Sequence, residues 1–144
     1  MFYRILLYLH ILSVIMSIGP FFALIPMAKK LRRAEGEVQK VYLDSFRFAV
    51  RLTKHAGHVL VVSGILLVVL GWWPWSTSWI VITIVIMMSS LFFLARAFSP
   101  ILKKFMEVGN DREQLVKKLS WTTVAYILLL LLMLWFMVTK PALW

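Results

Sequence analysis

Four predominantly apolar runs constrain this chain more than any other feature. They cover residues 5–27, 52–73, 79–97 and 119–138. At about 1.5 Å per helical residue, each is long enough to cross a hydrocarbon core of roughly 30 Å. Inside such a core every backbone N–H and C=O must be bonded within the protein. A helix does this within one segment, so helices are the expected elements. The expected fold is therefore all-α: one polytopic membrane domain over residues 1–144, an antiparallel bundle of four transmembrane helices joined by short connections.

Composition supports this reading. Hydrophobic residues make up 62% of the 144 positions, too many for a soluble domain of this size. The formal net charge is +10. The excess sits between apolar spans, so the expected partners are anionic lipid headgroups at the cytoplasmic face and not nucleic acid. With no cysteine, disulfides, thiolate metal ligands and cysteine nucleophiles are excluded. The first apolar run is too long for a cleaved signal peptide, and no small-residue cleavage site precedes the charges.

The basic residues also set an orientation. Lys29, Lys30, Arg32, Arg33, Lys40, Arg47, Arg51 and Lys54 lie between the first two spans. Arg96, Lys103, Lys104, Arg112, Lys117 and Lys118 lie between the last two. The opposite side has only Arg4, Lys140 and the uncharged turn WWPWSTSW. The positive-inside rule puts both basic segments in the cytoplasm. Both termini are then expected outside the plasma (inner) membrane of a bacterium. Gly109-Asn110-Asp111 reads as a turn in the second basic segment.

The second span opens polar and closes apolar. Arg47, Arg51, His55 and His58 fall on one helical stripe, at steps of four, four and three. Gly57, Gly64 and Gly71 repeat every seven residues and form a nearly bare face, with Ala49, Ala56 and Ser63 beside it. Such a face admits another helix or a flat ligand, and homodimerisation through small-residue faces is expected. Arginines one turn apart suit carboxylates and phosphates, so Arg47 and Arg51 are candidates for an anionic ligand as well as for lipid headgroups.

The three histidines are the best candidate metal or haem ligands. His10 lies about five residues, or roughly 8 Å, inside the first span. His58 lies roughly 21 Å below the same surface, counted back from Trp72. That offset is large for one shared iron. A single-histidine haem at His10, or a site at His58 with Met or water opposite, is an equal alternative. His55 lies near the inner interface, where a headgroup role is ordinary. Zinc or copper between His55 and His58 would have only two protein ligands and no nearby carboxylate. No nucleophile–base pair or carboxylate pair is visible.

YLHILSVIMSIGPFF, FRFAVRLTKHAGHVLVVSGILL and the closing MVTKPALW together resemble the HemJ-type protoporphyrinogen oxidases. Those are small four-span bacterial membrane proteins that bind b-type haem through a first-helix histidine. The same plan is shared by copper-resistance D-type domains and by a broader set of predicted membrane proteins, in which this chain is expected to fall. The resemblance implies haem b with His10 as a ligand, Arg47 and Arg51 as the paired basic residues, and Lys140 as the closing lysine. The family usually has Lys where this chain has Arg51, a Pro where it has Ala56-Gly57, and an Asn-Glu pair at the fourth helix that has no counterpart here, so the resemblance carries the fold rather than the oxidase reaction. The expected function is haem binding linked to haem metabolism or membrane electron transfer. The alternative is a cofactor-free membrane subunit or a carrier of a small molecule or ion.

Overall fold

The computed structural model describes residues 1–106 and 112–144. The Gly109-Asn110-Asp111 turn lies outside the described residues. Helix α1 spans Phe2–Lys30, α2 spans Gly36–Leu70, and α3 spans Ser78–Phe93. A π-helical turn, Leu94–Phe98, joins α3 to α4, Ser99–Met106. Helix α5 spans Arg112–Thr139. There is no strand among the described residues, and four rods are long and apolar enough to cross a membrane.

Each of the four rods is longer than the apolar run it carries. Helix α1 keeps Pro20 and Pro26 in its interior and ends on Lys29 and Lys30, which complement the partial negative charge of a helix C-terminus. Helix α2 starts in the first basic segment and continues unbroken into its span. The third span is expected to finish at residue 97; the helical rod that carries it continues to Phe105, through Pro100. Proline cannot donate to the Arg96 carbonyl, and its ring crowds that oxygen; the wider π-helical turn accommodates both. Ile101, Leu102 and Phe105 are then buried, so α4 still packs on the bundle beyond the proline.

Helix α1 packs along α2 and α5, and α3 packs on α5. The α1–α2 seam is written in the sequence. Leu43, Phe46, Ala49, Thr53, Ala56, Leu60 and Ser63 are buried on α2 at steps of three and four. Ser13, Ser17, Phe21, Leu24 and Ala28 are buried on α1 with the same spacing. Small side chains let the two backbones approach, and the Thr53 hydroxyl donates to the Ser17 carbonyl across the seam (3.3 Å). Ala49, Ala56 and Ser63 are thus used inside one chain. The backbones of α2 and α3 stay apart, although only a short turn joins them.

The two ends of the bundle are built differently. At the end that carries the basic segments, Phe21, Phe98 and Tyr126 are almost fully buried, with ring centroids 4.7–5.9 Å apart. They tie α1, the π-helical turn and α5 together. The Arg112 guanidinium there donates to the Ala34 carbonyl and to Gln39 Oε1, each at 2.6 Å. At the other end, which holds both termini, the tail folds over the α2–α3 turn. Ser78 Oγ donates to the Pro141 carbonyl (2.9 Å) and accepts from the Leu143 N–H (3.0 Å). Trp144 Nε1 donates to the Ser76 carbonyl (2.9 Å).

Candidate functional site

The separation of α2 from α3 leaves a cavity of 530 Å³ at the terminal end of the bundle. Val14 on α1, Leu60 and Ile65 on α2, Ile84 and Met87 on α3 and Leu134 on α5 give it apolar walls. His10, Thr83 and Lys140 also line it, with Trp73 and Trp79. This volume lies within the usual range for small-molecule sites, which are likewise mostly apolar with a few polar groups.

His10 is held by α2. Its Nδ1 lies 2.9 Å from Ser63 Oγ. The Ser63 hydroxyl donates to the Val59 carbonyl at 2.6 Å, with the Leu60 carbonyl at 3.1 Å. Its single proton is therefore committed, and Ser63 accepts from Nδ1–H. This network assigns the tautomer: Nε2 carries the lone pair, as in a histidine oriented by an outer partner for metal binding. Gly64 completes the arrangement. A Cβ at that position would stand 3.2 Å from His10 Cε1, so the ring occupies the space that a side chain would need.

Lys140 belongs to the same cavity from the opposite side. The backbone there turns into the left-handed region, with φ +47°. The turn sets Nζ 5.3 Å from the ring centroids of both Trp73 and Trp79, a double cation–π contact. The two indoles themselves meet edge to face at 5.5 Å.

The other sequence candidates stand elsewhere. His58 and His55 are exposed and do not line the cavity. His10 meets α2 at Ser63 and Gly64, more than a turn beyond His58. Arg51 is exposed, and Arg47 pairs with Asp44 on its own helix at 3.3 Å. So the cavity unites His10 with Lys140 and leaves out His55, His58, Arg47 and Arg51. Among the described residues no three His, Asp or Glu side chains gather as a metal site. The bare glycine face divides into three uses. Gly57 faces Leu91, Gly64 faces His10, and Gly71 caps α2, where a Cβ would meet Trp73 at 2.7 Å. Sequence reasoning missed Ser63 as the partner of His10 and the two tryptophans as the cradle of Lys140. The only signals were a small polar residue beside the glycine stripe and tryptophans expected merely to mark an interface.

These features define a class: a four-span helical membrane protein with a ligand-sized cavity inside one end of the bundle. The chain belongs to the DUF2269 family of predicted integral membrane proteins, whose pattern matches residues 4–141. No curated protein and no solved structure matches it.

Proposed function

We propose that this protein is a small haem-binding membrane protein, with b-type haem in the terminal-end cavity and His10 as its protein ligand. The observation that carries the reading is the Ser63 bond to His10, which directs the proton to Nδ1 and leaves Nε2 as a donor atom in an apolar, ligand-sized cavity. The residues present suit a single-histidine site. His10 would hold the iron, Gly64 leaves room at the ring, and Lys140 offers a cation for a propionate. Bound haem would supply one-electron redox chemistry, in keeping with the resemblance to HemJ-type and copper-resistance D-type proteins. His55, His58, Arg47 and Arg51 stand outside the cavity and suit lipid headgroups. In this reading the basic end is cytoplasmic and both termini lie outside the plasma membrane.

The test is the haem-to-protein ratio of purified protein by pyridine haemochrome, after expression with ample haem supply. Wild type should carry haem, His10→Ala should lose most of it, and His55→Ala should keep it. Equal haem in wild type and His10→Ala removes His10 as ligand. A second reading, a cofactor-free subunit or small-molecule carrier, draws on the single imidazole: no other histidine lines the cavity. A wild-type protein without haem supports it.

A further inference from the structure

We propose that the cavity takes an amphipathic anion from the lipid phase, admitted between α2 and α3, with its carboxylate or phosphate head on Lys140. The inference rests on the cavity as a ligand site but does not require iron.

The entrance follows from how α2 and α3 meet. Towards the basic end, Gly57 stands against the Leu91 side chain, where a Cβ would be 3.4 Å from Cδ2. At the terminal end, Trp73 meets Trp79. Between these two contacts the backbones stay apart, and both edges of the gap line the cavity. Ile65 on α2 and Ile84 on α3 are cavity-lining yet 46% and 37% exposed. In a bilayer that gap opens onto acyl chains, so the molecule that enters must be soluble in lipid. The hydrocarbon walls impose the same requirement on its body.

The head follows from Lys140, the one charged side chain among the described lining residues. It has no acidic partner among the described residues. Two indole faces attract its charge but accept none of its N–H bonds in the way an oxygen would. Lys140 is exposed at the mouth, and a carboxylate or phosphate at the end of an apolar body lying along the cavity wall supplies that acceptor in a charge-assisted bond. The tail bonds through Ser78 and Ser76 hold the lysine over the cavity mouth without using its ammonium. From Gly64, level with His10, to Leu70 the helix rises about 9 Å, so a bound molecule lies along the bundle with its head at the mouth.

Photolabelling with a diazirine analogue of palmitic acid, on the full chain in phosphatidylcholine nanodiscs with peptide mapping by mass spectrometry, tests the proposal. Label should fall on cavity-lining residues such as Ile65, Ile84 and Met87. Palmitate should compete at least about tenfold better than methyl palmitate, the ratio expected for one charge-assisted contact. Lys140→Gln should reduce cavity labelling by a similar factor, Lys140→Arg should retain most of it, and Gly64→Leu should abolish it by filling the space. Equal competition by acid and ester, unchanged labelling in Lys140→Gln, or label confined to the outer helix surfaces would each overturn the proposal. The probe carries no iron, so the labelling that remains in His10→Ala should still depend on Lys140. Lys140-dependent labelling in a protein that holds no haem sustains this inference and removes the haem reading. Haem lost in His10→Ala, with labelling indifferent to Lys140, does the reverse.

Discussion

His10 on α1 and Ser63 on α2 are joined at 2.9 Å through the imidazole Nδ1 and the serine hydroxyl. The bond crosses the most closely packed seam of the bundle and sits at the cavity wall. It ties an ionisable group inside a membrane span to a specific partner, the usual condition for keeping such a group there. Packing, tautomer and site geometry therefore meet in one contact.

Ser63→Ala separates these roles. The helix should form as before, since alanine is a strong helix former and fits a small-residue seam. Loss of one hydrogen bond should cost roughly 1 kcal/mol. The expected readout is a fall of a few degrees in the thermal midpoint in detergent, of order 2–4 °C per kcal/mol for a domain of this size. If the protein carries haem, its retention should fall more steeply than its stability, because the ring is no longer oriented. An unchanged midpoint together with unchanged haem would show that the bond has no role.

Gly64→Leu should be far more disruptive than Leu67→Ala. The first drives a side chain into His10, whose Cε1 already stands 3.2 Å from a Cβ at that position. Overpacking of this kind typically costs about 1–3 kcal/mol. The second removes volume from a half-exposed position that already borders the cavity. Thermal unfolding and size-exclusion profiles of the two variants make the comparison. Similar behaviour in both would mean that the Gly64 face looks at lipid.

The aromatic knot at the basic end should dominate stability. Phe21 is fully buried, with Tyr126 at 4.7 Å and Phe98 at 5.5 Å. Phe21→Ala should cost on the order of 3–5 kcal/mol, the range for deleting a buried aromatic. Phe92→Ala, at a residue 64% exposed, should change the midpoint little. Equal losses in the two would place the stabilising core elsewhere.

Orientation is tested with reporters. A fusion after Trp144 should be extracytoplasmic, and an insertion near residue 109 cytoplasmic. The opposite pattern would invert the reading drawn from the basic residues and would move the cavity to the cytoplasmic leaflet.

The sequence by itself determined the four spans. Hydrocarbon length and backbone hydrogen bonding are local demands, and a run of apolar residues answers them without a partner. It also marked His10 as an ionisable group in a span, and Gly57, Gly64 and Gly71 as a face without side chains. The stripe of Arg47, Arg51, His55 and His58 was equally legible, but its common face turned out to lie outside the cavity. Tertiary structure alone decided the meetings. His10 finds Ser63 across 53 positions of chain. Lys140 comes to rest between Trp73 and Trp79 only because the tail folds back on Ser78. Pro100, which reads as a stop, is carried through by a π-helical turn because Ile101, Leu102 and Phe105 have a core to join. The cavity exists because α2 follows α1 while α3 follows α5. Periodicity specifies which face of a helix is apolar or small, but not which neighbour that face will meet. That choice depends on side-chain shapes fitting together along whole helices, and it is made only when all four are packed.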